Sequence, residues 1–234
     1  MANEHIAKQF DLELEAVRAQ VLRMGGLVEE QISQAVEALH EGKMELALEV
    51  IANDHRVNGL EVNIDERCTH IIARRQPTAS DLRLLIAIIK TITDLERIGD
   101  EAEKIARMAR LIHESGRLHA PLPIDLRPAA QLAVRMLGRS LDAVARLDCN
   151  SAARVLRDDQ DVDESFRAIL RQLITFMMED PRTISNSIEI LFAAKAIERI
   201  GDHAKNMAEY VIYLVKGKDV RHTSVEEIER AVVA

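Results

Sequence analysis

The sequence predicts an all-α protein made of two tandem, pseudo-symmetric antiparallel three-helix bundles, and three observations carry that expectation. The pentapeptide Glu-Arg-Ile-Gly-Asp occurs twice, at Glu96 to Asp100 and at Glu198 to Asp202, 102 residues apart in a chain of 234. A repeat at nearly half the chain length marks an internal duplication. Apolar residues make up 47% of the chain, but aromatics only 3% with no Trp, so the core must come from Leu, Ile, Val, Ala and Met, a palette that suits packed helices. Apolar positions recur at helical spacing through long segments, and no segment alternates as a strand would.

The first helix is expected over about 4–40, closed by Glu41-Gly42, and the second over about 43–75. Pro77 then breaks the pattern. Thr78-Ala-Ser-Asp81 supplies a capping box for a third helix over about 79–114. Gly116, Pro121, Pro123 and Pro128 make the stretch from Ser115 to Arg127 a linker. The second half repeats the scheme at about 127–147, 151–179 and 182–216, where Asp180-Pro181 gives an N-cap followed by proline at the first helical position and Gly217 ends the last long helix. Short loops between long helices force them to run up, down and up. The expected domains are therefore residues 1–115, a linker at 116–126, residues 127–217, and a charged tail at 218–234 with one short helix near 225–232. Gly25-Gly26, inside the first helix, reads as a kink or a crossing point.

A chain of 234 residues buries roughly 70% of its unfolded-state surface, so no covalent staple is needed. Cys68 and Cys149 stand alone without metal-ligand spacing and read as reduced, partly buried thiols. Met1 to His5 carries neither a basic nor an apolar targeting region, and the longest apolar run, Leu84 to Ile89, is too short to span a bilayer. A soluble, intracellular protein is expected. The formal net charge of −8 argues against binding nucleic acid through phosphate neutralisation and against adsorption to an anionic leaflet.

The chemistry concentrates on carboxylates. Residues i and i+4 share one helix face, so Glu96 and Asp100 aim at one point, as do Glu198 and Asp202. The apolar stripe Leu82, Leu85, Ile89, Ile92 runs directly into Glu96 and Asp100, and Ile188, Leu191, Ala194 runs into Glu198 and Asp202. The second helix of each half carries a matching pair, Asp54/Asn58 and Asp159/Asp163. Asp54 lies 23 residues before Pro77 and Asp100 23 after; Asn58 and Glu96 lie 19 before and after. In the second half, Asp159 and Asp163 lie 22 and 18 before Pro181, and Asp202 and Glu198 lie 21 and 17 after. At a rise of about 1.5 Å per residue, each quartet comes level across its antiparallel turn. Four oxygen-bearing side chains at one height suit a divalent or trivalent metal: Mg, Mn, Fe or, less naturally without His or Cys, Zn. Ionised carboxylates on a core face are costly without such a cation.

Glu61 and Asp65 extend the first cluster, whereas the matching Phe166 and Leu170 cannot extend the second. Gly99 and Gly201, mid-helix, mark close backbone approach or tight packing. Arg97 and Arg199 are expected to pair with nearby acids. Glu37-Ala-Leu-His40 has the spacing of di-iron bundles but stands once, at a helix end. No phosphate loop, nucleophile elbow or HExxH is present. The residues alone leave open a dinuclear metallohydrolase or a scaffold with purely structural metals.

The twin Glu/Asp-x-x-x-Asp motifs, together with Arg75-Gln-Pro-Thr-Ala-Ser-Asp-Leu-Arg83 and the tandem three-helix layout, resemble the PhoU family of phosphate-transport accessory proteins and negative regulators of the phosphate regulon. The resemblance runs from about Glu4 to Lys216. It implies metal ions held at Asp54, Asn58, Glu96, Asp100, Asp159, Asp163, Glu198 and Asp202, a homodimer, and a cytoplasmic protein peripheral to the inner membrane. It also implies two partners, the ATP-binding subunit of the phosphate ABC transporter and a phosphate-sensor histidine kinase, and no catalytic role. Asn58 departs from the family's carboxylate pattern.

Overall fold

The computed structural model describes residues 2–114, 124–217, 219–221 and 223–233, without the side chains of 2–8, 229 and 231–233. Six long helices, α1 (Ala2–Glu41), α2 (Met44–Arg75), α3 (Ala79–Glu114), α4 (Arg127–Arg146), α5 (Cys149–Glu179) and α6 (Ile184–Lys216), precede a short α7 (Val225–Val233). The described residues contain no strand. Several boundaries are explained by local chemistry. Gly42 (φ 69°) and Gly217 (φ 68°) take the left-handed backbone after α1 and α6. Gln76 (φ 45°) does the same after α2, ahead of Pro77. At the start of α3 the Thr78 hydroxyl donates to the Asp81 carboxylate at 3.0 Å. Asp148 accepts from the amides of Asn150 and Ser151 to cap α5, which therefore begins two residues earlier than expected. Asp180 accepts from Arg182 N, but the turn that it caps is a 3-10 segment, Pro181–Thr183, and α6 proper starts at Ile184. Most of the expected linker, residues 115–123, lies outside the described residues.

Helices α1, α2 and α3 pack together as one three-helix bundle and α4, α5 and α6 as a second. The two bundles share a broad seam: α3 lies against α6 and α1 against α4, so these four helices form the middle and α2 and α5 the outer walls. The seam explains the heavy burial of α3, where Leu85, Ile88, Ile92, Leu95, Ile98, Ala102 and Ile105 are at most 2% exposed. Helix α2 buries one narrow stripe, Ala47, Val50, Val57, Ile64, Cys68 and Ile71. Both cysteines are free and buried, and burial pushes the Cys68 thiol up to about 12.

Along the seam α3 and α6 run antiparallel, as the cross-helix pairs show: Lys90 with Tyr210, Asp94 with His203 and Asn206, Glu101 with Arg199. That register places Gly99 and Gly201 level with each other, so the two copies of the repeated pentapeptide sit at the centre of the molecule. Gly25 is a crossing point. A Cβ there would come 2.5 Å from Leu141 Cδ2 and 2.6 Å from Leu141 Cδ1 on α4. Gly25→Val should therefore destabilise the protein by about 1–3 kcal/mol through overpacking at a buried crossing, less the small gain in helix propensity. Urea unfolding measures this, and an unchanged midpoint would show that Leu141 yields freely.

Candidate metal centre

In the first half the four expected residues face one another across the α2/α3 seam. Gly99 makes the approach possible. A Cβ on it would lie 3.3 Å from Val57 Cγ1, 3.6 Å from Gln31 Oε1 and 3.7 Å from Asp54 Oδ1. The Asn58 amide donates to Asp54 Oδ2 at 3.0 Å, which leaves Asp54 Oδ1 and Asn58 Oδ1 buried without a hydrogen-bond partner. Gln31, on α1, is only 2% exposed, and both of its amide atoms are buried and unpartnered. Orphaned oxygens of this kind cost free energy unless a cation or a water meets them.

The electrostatics report the same crowding. Burial, then the charges of Glu103 and Asp100, raise the Asp54 carboxyl above its ordinary value. Burial, then Asp100, with smaller contributions from Glu61 and Asp54, raises Glu96 despite the adjacent Arg97. Arg97 reaches Glu96 and Asp100 at 3.4 Å each, as expected, from an exposed position. Glu61 does join this face, accepting from the Thr93 hydroxyl at 3.3 Å. Asp65 is exposed and lies by Cys68 instead.

The second quartet is brought level across α5 and α6 in the same way. A Cβ on Gly201 would meet Val162 Cγ1 at 3.3 Å, as one on Gly99 meets Val57. Where the first site has Gln31, the second has Met136, whose sulfur lies 3.7 Å from the Gly201 Cβ position. Three of its carboxylates already hold a protein cation: Lys205 Nζ lies 2.6 Å from Asp159, Arg167 Nη2 3.3 Å from Asp163, and Lys195 pairs with Glu198. Asp202 has no ion-pair partner among the described residues. The residue keeps solvent access, yet the helices around it desolvate the carboxyl and raise it, and Glu198 and Asp159 add to the effect.

Among the described residues, no three His, Cys, Asp or Glu side chains converge closely enough to hold an ion as they stand. The donors of the first site fit a hard cation best, through the unmet oxygens of Asp54, Asn58 and Gln31 with Glu96 and Asp100 nearby. At the second site an ion would displace Lys195 and Lys205.

Three expectations are refined. The carboxylates sit at the rim of the core rather than on its centre line: the side chains of Glu96 and Glu198 are 18% and 12% exposed, because the most deeply buried stripe on α3 runs through Ile88, Leu95 and Ile98. Glu37 and His40 lie apart from the quartets, Glu37 pairing with Lys43 at 2.5 Å and His40 lying 3.9 Å from Asp125. Arg199 bridges the halves to Glu101 at 2.5 Å instead of serving its own quartet. Sequence reasoning missed Gln31. Its signal is a polar side chain in the apolar phase of α1, between Val28 and Ala35.

The PhoU domain family matches this chain at residues 21–109 and 126–211. The phosphate-specific transport system accessory protein PhoU of Serratia marcescens is 51% identical over 99% of this chain and 95% of its own length. The crystal structure of PhoU from Pseudomonas aeruginosa superposes with a TM-score of 0.85 at 49% identity, covering 89% of this chain and 100% of that one. PhoU from Streptococcus pneumoniae, a phosphate transport system regulatory protein, gives 0.82 at 30% identity over 90% of this chain and 99% of that one. The two family matches fall one on each half and each spans a carboxylate quartet, so the duplication read from the repeated pentapeptide is the duplication of that domain, and the chain belongs to the PhoU domain family.

Proposed function

We propose that this chain is an accessory protein of phosphate transport and a negative regulator of the phosphate regulon, acting by binding partners and not by turnover. The observation that carries the reading is the likeness, at 51% identity over 99% of the chain, to a relative named as the accessory protein of the phosphate-specific transport system. The partners are the ATP-binding subunit of the phosphate ABC transporter and a phosphate-sensor histidine kinase, engaged by a cytoplasmic homodimer held at the inner membrane through them. No helix among the described residues is long and apolar enough to cross a membrane, so attachment through a partner is the fitting mode.

The geometry supports a metal-dependent docking surface. Each quartet lies at the seam between a central helix and an outer helix, so an ion there would tie α2 to α3, or α5 to α6, and set the shape of the outer wall. The chemistry that such an ion supplies is charge neutralisation and crosslinking. Asp54, Asn58, Gln31, Glu96 and Asp100 would hold it in the first half, and Asp159, Asp163, Glu198 and Asp202 in the second.

Deleting the gene should leave phosphate-regulon promoters active in high phosphate, and that derepression should require the intact kinase. Reporter expression in single and double deletions measures both. Constitutive expression that persists without the kinase would overturn the reading.

A further inference from the structure

Helices α3 and α6 and the segment after Gly217 border a cleft of about 160 Å³. Its cationic side is made by Arg83, Lys90 and Arg221, and both tyrosines of the chain, Tyr210 and Tyr213, line it. Arg221 is neutralised by Asp219, with Nη2 2.5 Å from Oδ2. Among the described residues, Arg83 and Lys90 have no carboxylate partner and the buried Arg83 Nε has no acceptor. Lys90 lies over the Tyr210 ring, 5.3 Å from its centroid, which holds the ammonium at the cleft. The Tyr210 hydroxyl is engaged with Asp94, so that ring serves as a wall.

We propose that this cleft binds a small phosphoryl-type oxyanion, with Arg83 and Lys90 supplying the charge and the Tyr213 hydroxyl a neutral donor. Two uncompensated cations, one of them a guanidinium with an unmet N–H, match a tetrahedral dianion better than a monovalent carboxylate. The remaining acid at the wall, Glu209, is 8% exposed; burial raises its carboxyl, and Lys205 partly offsets that effect.

The chain has two Tyr and no Trp, which makes tyrosine fluorescence a local reporter of this cleft. The experiment titrates the full-length protein, at constant ionic strength, with inorganic phosphate in one arm and glycerol 3-phosphate in the other, calorimetry running in parallel. A saturable signal is expected in at least one arm, the tighter arm telling a free ion from a phosphomonoester. Arg83→Gln should weaken it about tenfold or more, the loss of a charge-assisted hydrogen bond, with an unchanged melting curve. Tyr213→Phe should weaken it less. Absence of saturable heat and fluorescence change in both arms up to roughly 20 mM, a range that captures even very weak sites, would overturn the proposal, as would an affinity untouched by Arg83→Gln.

Discussion

Asp94→Ala should cost the fold about 3 kcal/mol or more, the usual result of deleting one member of a buried charged network. Asp94 is 6% exposed and gathers three donors from the other half of the molecule: His203 Nδ1 at 2.7 Å, Asn206 Nδ2 at 3.1 Å and the Tyr210 hydroxyl. An ionised carboxylate only accepts, so the proton of His203 must sit on Nδ1. Truncation would leave all three donors facing apolar neighbours in the α3/α6 seam. Asp94→Asn should be only partly rescued, because half of the amide presents donors to donors. For a chain of this size each kcal/mol moves the melting temperature by about 2–4 °C. Calorimetry and urea unfolding therefore give two independent readings, and a loss below about 1 kcal/mol would mean that water satisfies the seam. Hydrogen exchange should show α3 and α6 loosening together, ahead of α2 and α5.

That seam is the part of the structure least legible in the sequence. The helices follow from local signals: the glycines at 42 and 217, the cap at Asp180 and the prolines, whereas the Asp148 cap that starts α5 early was not read. The level pairing of the quartets followed from counting residues on either side of Pro77 and Pro181, since helix rise is fixed. Asp94 and Glu101 were missed because their partners His203 and Arg199 lie about one hundred residues away, and periodicity carries no information about which face meets which helix. A signal did exist. Ala87, Thr91, Asp94, Ile98, Glu101 and Ile105 fall at spacings of three and four and are all buried, a second stripe whose polar members mark it as an interface between bundles. The asymmetry of the two metal candidates was half legible. Asn58 against Asp163 is visible in the repeat, whereas the pairing of Gln31 with Met136, and the capture of Glu198 and Asp159 by lysines, required the fold.

The same asymmetry shapes what metal binding should do. Because burial and neighbouring acids raise Asp54 and Glu96, the folded metal-free protein binds more protons than the unfolded chain there, and these groups make it less stable as pH rises. Their penalty is absent below the ordinary carboxylate range, near pH 4, and is fully present above their raised folded values. Asp125, held down to about 2 by Arg127, works in the opposite sense, but its contribution is lost only below about pH 4. As pH falls through their raised folded values toward the ordinary carboxylate range, the metal-free protein should gain stability from the quartet, and Asp54→Asn should remove Asp54's part of that dependence while stabilising the protein at neutral pH. A divalent or trivalent ion should have the same stabilising effect in the wild type at neutral pH, raising the melting temperature in proportion to the logarithm of its concentration. Asp54→Asn should remove the first site's share of that rise and leave the second site's, and Gln31→Ala should weaken metal affinity at the first site about tenfold to a hundredfold if its amide oxygen supports the ligands. The second site should respond differently. Elemental analysis after anaerobic purification should show metal content falling by about half in Glu198→Ala/Asp202→Ala, one of two separable sites, while Lys195→Met should tighten binding by freeing Glu198 from its competing cation. Wild-type protein that takes up no metal under any loading condition, or a neutral-pH stability that Asp54→Asn leaves unchanged, would show that the unmet oxygens are served by water and the carboxylates by Arg97, Arg167, Lys195 and Lys205.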